Sequence, residues 1–354
     1  MNPPTRSKAK PSSKPPAKPP AKRPAPPPRR PISKTRGRPG APVAAAVEIE
    51  MISLPGGARA HPALGLGLWA LGRWTPEDEA RTKATIGRAY ERGIRWFDTA
   101  EVYGNGRSER LLGEVLLRVP DGAPAAYVVT KVSWEHLRAN QVRASLIGSL
   151  ERMARRSVDL YLVHAPDPHV PLAETMGALE ALWKEGKIGA IGVSNFSVEE
   201  LEEASRHLSE AKIVVNQLRY NLFLRDDVDP VHDYCQKHGI LIEAYTPLAR
   251  GMLLGRYLDG GKVPKEVRAF AHRLFEPDIL PEMRARGQAL RDLASDVKVP
   301  LGSIALHWLR KMGAAPVFGA SRPDQIDSIL AAWAVRPPDR VLHRADRIAR
   351  GERA

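Results

Sequence analysis

IRWFDTAEVYG, residues 94–104, reads as a short apolar strand that ends on a carboxylate, Asp98, and is followed within one turn by Tyr103. Two later strands repeat the plan. AAYVVTKV (125–132) ends beside Lys131, and VDLYLVHA (158–165) ends beside His164. Asp98 and Lys131 are 33 residues apart, and Lys131 and His164 another 33. That is the length of one βα unit in a (β/α)8 barrel, which takes roughly 250 residues for eight units. Polar groups at the carboxyl ends of successive barrel strands converge on one mouth, where barrel active sites form. An acid, a phenol, an amine and an imidazole gathered there point to proton transfer at a carbonyl oxygen.

The rest of the chain extends this pattern. Further strands are expected at ALGLGLW (63–69), KIGAIGVSN (187–195), KIVVNQLRY (212–220), ILIEAYTP (240–247) and APVFGAS (315–321), which makes eight. Amphipathic stretches lie between them, so the fold class is α/β with a parallel sheet, a TIM barrel. Ahead of the first strand, the segment from Val47 looks like a β-hairpin turned at Pro55-Gly56-Gly57, a cap for the barrel floor. Thr75-Pro76-Glu77 opens the first helix with a capping hydroxyl, a proline at the first position and acids behind it. LAETMGALEALWKEG places its apolar residues on one face and closes on Gly186. The domain reading is a tail at 1–46, a barrel at 47–338 with a long loop at 250–281 on the active-site face, and a basic C-terminal helix or tail at 339–354.

Charge is unevenly distributed. Of 54 basic residues, 12 lie in residues 1–46, where there is no acid; the remainder carries 42 against 40 acidic residues. The tail also holds 14 of the 32 prolines and almost no large apolar side chain, so disorder or polyproline geometry is expected. A polybasic arm is attracted to nucleic acid and anionic surfaces. Arg36-Gly37-Arg38-Pro39 resembles the core of an AT-hook, but four residues in so biased a composition carry little weight. A solvated tail, or a start at Met51, is the preferred reading, and nucleic acid is not an expected partner. The single cysteine, Cys235, excludes an intrachain disulfide and fits a reducing, cytoplasmic setting. No stretch approaches the ~20 apolar residues of a membrane span.

Taken alone, each of the four polar residues has an ordinary explanation, as a helix cap, a packing residue, a solvated cation or a structural histidine. Their contexts are more specific. FDTAEVYG (97–104), VVTK (128–131), VDLYLVHAPDP (158–168), IGVSNFS (191–197), VVNQLRYN (214–221), AYTPLARG (244–251) and PVFGASRPDQI (316–326) resemble, in order and spacing, the aldo-keto reductases, including the branch that contains bacterial enzymes and potassium-channel β subunits. The resemblance covers roughly residues 48–335. That family binds NADPH across a barrel mouth without a Rossmann domain, and no G-x-G-x-x-G opens a βαβ unit here.

The resemblance implies an NADP(H)-dependent oxidoreductase that reduces an aldehyde or ketone, a small-molecule carbonyl, with no metal. It implies Tyr103 as general acid, Lys131 lowering the phenol pKa, Asp98 pairing with Lys131, and His164 contacting the carbonyl. It places Ser194, Asn195 and Gln217 at the nicotinamide carboxamide and Tyr245 against the ring. Thr246, Pro247, Leu248 and Gly251 fall along the pyrophosphate, with Gly67 and Leu68 beside a ribose. Gly319, Ser321, Arg322 and Gln325 match the last cofactor motif. The Glu/Asn pair common in relatives is here Ser328 and Ile329. Arg256 and Arg322 are the candidates for a 2′-phosphate, which favours NADP(H) over NAD(H). Trp69 and Trp134 are expected to wall the substrate pocket. Two alternatives remain: a cofactor-binding regulatory barrel with little turnover, and a nucleic-acid associate acting through the tail. Oligomeric state and physiological substrate are not legible.

Overall fold

The computed structural model describes residues 46–69, 75–225, 228–265 and 272–352. The basic tail through residue 45, with its AT-hook-like tetrapeptide, lies outside them. Two short strands come first, β1 (Met51–Ile52) and β2 (His61–Pro62), antiparallel with Met51 opposite Pro62. The turn between them runs through Pro55–Gly57, where Gly56 and Gly57 take φ of 72° and 74°. That left-handed conformation costs glycine nothing and explains the Pro-Gly-Gly signal.

Eight parallel strands follow and close into a barrel: β3 (Gly65–Gly67), β4 (Trp96–Asp98), β5 (Tyr127–Val132), β6 (Leu160–Val163), β7 (Ile191–Ser194), β8 (Ile213–Arg219), β9 (Leu241–Tyr245) and β10 (Ala314–Gly319), with β10 paired back to β3. Every strand read from the sequence is present. Side chains alternate in and out along each strand, so one residue in two enters the barrel. Trp96, Tyr127, Leu160, Leu241 and Val317 fill the lower interior, and Ile52, Leu54 and Ala58 of the hairpin segment pack against them. The hairpin therefore floors the barrel. Gly65 makes room for the largest of these residues: a Cβ there would lie 2.1 Å from the Trp96 indole.

The helices form the outer layer. Thr75 caps Pro76–Glu91 through a reciprocal capping box with Asp78. Leu172–Lys184 is followed by left-handed Gly186. After β9 come a tight 3-10 segment, Ala249–Leu254, and later two helices in series, Leu280–Asp296 and Leu301–Lys311. A last helix, Asp339–Ala349, buries Val341, Leu342, Ala345 and Ile348. Its Asp346 accepts from the Trp308 indole at 2.9 Å and pairs with Arg225.

Gly65→Ala is expected to cost about 1–3 kcal/mol, because a fully buried indole and a sheet backbone have nowhere to move. The shift of the denaturant midpoint measures it, and an unchanged midpoint would contradict the packing described.

Candidate active site

The inward alternation that fills the floor also builds the mouth. Asp98 closes β4, Lys131 lies near the end of β5, and His164 follows β6. Ser194, Tyr245 and Gly319 end β7, β9 and β10, while Gln217 is on β8 and Gly67 ends β3. Parallel strands of equal tilt place these positions at one height, which is why a 33-residue spacing in sequence becomes a cluster in space.

Lys131 is fully buried and donates to Asp98 Oδ2 at 2.6 Å and to the Thr99 carbonyl at 2.8 Å. Burial would lower the Lys131 pKa, but Asp98 and Tyr103 outweigh it and raise it, so the amine stays charged. Burial raises Asp98 against the pull of Lys131. Tyr103 arrives on the loop after β4. Glu101 pins that loop to β5 by accepting from the Ser133 N–H at 2.6 Å and meeting His136 Nδ1 at 3.0 Å. The Tyr103 ring lies 5.1 Å from Lys131 Nζ, and its hydroxyl is 3.5 Å from His164 Nε2.

Two electrostatic features follow. Burial pushes the Tyr103 phenol up to about 12, and Lys131 only partly draws it back. The expectation of a phenol shifted downward is not met: Lys131 pulls in the expected direction, but desolvation is larger. Burial and then Lys131 push His164 down to about 3, so its imidazole is neutral. His164 Nδ1 is buried without a hydrogen bond. The ring is held edge-on between Tyr103 and Trp134 at 5.5 and 5.7 Å.

Above this cluster lies a cavity of about 670 Å³, a usual volume for a ligand pocket. Ser194, Asn195 and Gln217 form one wall, joined by Tyr245, whose hydroxyl donates to Asn195 Oδ1 at 3.0 Å. Thr246, Pro247, Leu248, Gly251 and Arg256 line the side after β9, and Gly67, Gly319, Ser321, Arg322 and Gln325 line the side of β3 and β10. Ser328 and Ile329 lie on the same side. Trp69 and Trp134 flank the opening, 40% and 45% exposed, the largest apolar groups left open among the described residues.

Two expected residues do not face the cavity. Lys131 sits beneath its floor. Leu68 is fully buried in the outer core and reaches the site only through its backbone, whose N–H donates to the Asp98 carbonyl at 2.9 Å.

Backbone strain concentrates here. Asn195, Thr246, Ala249 and Arg250 take φ of 62°, 59°, 46° and 56°, values costly for side chains other than glycine and most of all for β-branched threonine. The site also holds residues the sequence reading passed over. Arg250 stacks 4.5 Å over the Trp69 ring, and Arg219 lies 5.7 Å over Tyr245. Arg219 stands two positions beyond Gln217 on the same inward face, a signal available from period-two alternation. Arg322 is engaged by Asp324 through two 3.0 Å contacts. Gln325 turns its amide oxygen back on the Ser321 N–H at 2.7 Å.

Fold and site together define the class: a TIM barrel with its ionisable groups gathered at the carboxyl ends of the strands. The chain belongs to the Aldo/keto reductase family, whose profile matches residues 63–350. It is 33% identical over 279 residues to an uncharacterized oxidoreductase of Mycobacterium bovis, covering 76% of this chain and 83% of that one. It is 29% identical over 302 residues to the aldo-keto reductase YhdN of Bacillus subtilis, with coverage of 78% and 87%. Among solved structures, the glycerol dehydrogenase of Gluconobacter oxydans matches with a TM-score of 0.75 at 28% identity, over 84% of this chain and 94% of the other. Among the described residues no cluster of His, Cys, Asp and Glu could hold a metal, and no helix is long and apolar enough to cross a membrane.

Lys131→Met leaves Asp98 buried and uncompensated, and a loss of about 3–5 kcal/mol is expected. Adding Asp98→Asn should recover most of it. Denaturant titration of both variants reads the difference, and equal stability of the two would show that the ion pair is not what holds Asp98.

Proposed function

We propose that this protein reduces an aldehyde or ketone to the alcohol with NADP(H), and catalyses the reverse oxidation more slowly near neutral pH. The observation that carries this reading is the Tyr103 phenol. It is kept protonated by burial, lies 3.5 Å from a neutral imidazole and has a charged amine behind it, at the bottom of a large cavity.

The cavity suits an extended dinucleotide. Gly67 leaves its inner wall open: a Cβ there would already meet the Val317 side chain at 3.3 Å. Ser194, Asn195 and Gln217 supply hydrogen-bonding groups suited to a carboxamide, and Tyr245 supplies an aromatic face beside them. The turn from Thr246 to Gly251, left-handed at Thr246, Ala249, Arg250 and Gly251, brings backbone close to the cavity, where a pyrophosphate would lie. Arg256 and Arg322 stand at the far end, and their guanidinium forks match a 2′-phosphate. When bound, the nicotinamide supplies the hydride for the carbonyl carbon.

The chain's own residues handle the proton. Tyr103 gives its hydroxyl proton to the carbonyl oxygen as charge develops there. His164, neutral, holds that oxygen through one N–H and fixes the carbonyl plane. Lys131 stabilises the resulting phenolate, and Asp98 keeps Lys131 charged and aimed. Trp69 and Trp134 shield the reacting end from water and present apolar faces to the substrate.

The pH dependence follows from the sign of the Tyr103 shift. Reduction consumes the protonated phenol, which predominates well below about 12. Its rate should be flat through neutral pH and decline only in strong alkali. Oxidation needs the phenolate, whose share rises about tenfold per pH unit over the same range. Steady-state rates in both directions from about pH 6 to about pH 10 test this, and parallel profiles would contradict it. Tyr103→Phe should lower reduction by about 100- to 10,000-fold while leaving the cofactor titration unchanged. Near wild-type reduction in that variant would remove Tyr103 from the chemistry.

Cofactor choice is tested at the far end. Arg256→Ala should weaken NADPH binding about tenfold and NADH binding by less than about twofold. Asp324→Asn, which frees the Arg322 fork, should tighten NADPH alone. Equal effects on both cofactors would refute the 2′-phosphate assignment, and failure of the wild type to bind either would overturn the proposed function.

A further inference from the structure

Beneath the site the barrel holds two more ionisable side chains that the chemistry above does not use. Glu243, in the middle of β9, is fully buried, and so is His61 of the floor hairpin. They continue a line of contacts from the mouth to the floor. Asp98 Oδ2, already bound by Lys131, accepts from Gln217 Nε2 at 2.9 Å. The same Gln217 nitrogen donates to Glu243 Oε2 at 2.5 Å. Glu243 Oε1 meets His61 Nε2 at 2.9 Å, and His61 Nδ1 meets the Pro62 carbonyl at 2.7 Å. The His61 ring is held edge-on by Trp96 at 4.3 Å and Tyr127 at 4.7 Å.

The hydrogen-bond inventory fixes orientations along this line. A carbonyl only accepts, so His61 Nδ1 carries a proton for Pro62. Nε2 and Glu243 Oε1 therefore meet across a single hydrogen. Gln217 is the consequential member. An amide oxygen facing two carboxylates would be repelled by both, so its nitrogen must face them, and its two N–H groups are spent on Asp98 and Glu243. Only its carbonyl oxygen is left to meet a ligand.

We propose that Glu243 and His61 are positioning residues that lock the Gln217 amide so that only its oxygen is presented to the cavity. The site then demands a hydrogen-bond donor there, as the amide N–H₂ of a nicotinamide carboxamide provides. This rests on the cofactor reading above and deepens it. The barrel floor sets, through two buried side chains, which chemical group the mouth accepts. With Gln at 243, Gln217 and its neighbour can pair in either amide orientation, and only Asp98, already engaged by Lys131, resists the flip.

The test compares NADPH with its 3-acetylpyridine analogue, in which a methyl replaces the carboxamide N–H₂. Affinities are read from quenching of intrinsic tryptophan fluorescence in the full-length protein. Wild type should prefer NADPH by about tenfold, the cost of leaving one buried acceptor facing a methyl. Glu243→Gln should narrow that preference to about two- to threefold. His61→Phe keeps a ring between Trp96 and Tyr127 but removes the donor to Glu243. It should narrow the preference in the same direction, and it reads the same lock if Glu243→Gln does not fold. A general loss of stability would weaken both ligands alike and leave the ratio unchanged. An unchanged ratio in folded variants, or no preference in wild type that binds NADPH, overturns the lock while the proposed function stands. Wild type that binds neither ligand overturns both.

Discussion

The burial of Lys131 is the constraint on which the site depends. An ammonium without exposure in a barrel interior is sustainable only with a carboxylate in direct contact and further hydrogen-bond acceptance beside it. Asp98 at 2.6 Å and the Thr99 carbonyl at 2.8 Å meet that demand. Both acceptors come from the end of β4, so the register between β4 and β5 is tied to the chemistry. A slip of one residue would turn Asp98 to the outer layer and leave the amine uncompensated. Burial holds the Tyr103 phenol protonated against the pull of that charge, and burial and then that charge hold the His164 imidazole neutral.

A second constraint acts on the backbone. Asn195 and Thr246 begin the loops after β7 and β9 in the left-handed region, a conformation worth about 1–3 kcal/mol of strain at a non-glycine position. Neighbouring bonds hold them there. The Asn195 N–H donates to the Gln217 carbonyl at 3.0 Å and its side chain to the His164 carbonyl at 3.1 Å, while the Thr246 carbonyl accepts from Asn221 at 3.0 Å. The same loops wall the cavity. Stability is given up where the chain must turn sharply to put polar groups at the strand ends, and the closed sheet beneath supplies the rigidity that keeps those turns in place.

What could be read from the sequence follows the range of the interactions. The strands, the hairpin floor and the convergence of Asp98, Tyr103, Lys131 and His164 were legible because alternation and a 33-residue repeat are local patterns with one geometric outcome. The Thr75 cap and the Gly186 terminus are equally local. Glu243 was legible in part, as a carboxylate in an apolar strand, two positions before Tyr245 on the inward face. Its partner His61 was not, since 182 residues separate them. The net direction of the Tyr103 shift was misjudged for a related reason. A charge partner can be named from a motif, but the desolvation that outweighs it depends on how deeply the loop is packed. The hold of Asp324 on Arg322 is local in sequence, yet it depends on rotamers that no spacing reveals.

The cavity is electrically asymmetric. At the end that holds Tyr103 the buried charges of Lys131 and Asp98 cancel as an adjacent pair. At its far end Arg256 and Arg322 face one carboxylate, Asp324, and Arg219 and Arg250 lie between the two ends beside aromatic faces. For the dinucleotide of the proposed function, this gradient favours a pose with the phosphates toward the arginines. Because the far end is open to solvent its attraction is screened by salt. The Lys131–Asp98 pair beneath the other end is buried and is screened far less. Binding affinity and the protonation of Tyr103 therefore respond to different conditions, the first to ionic strength and the second to burial and pH. Under the proposed function, an exposed, charged grip at one end and a buried, balanced ion pair at the other would let one cavity hold a highly charged molecule without net charge beside the Tyr103 phenol.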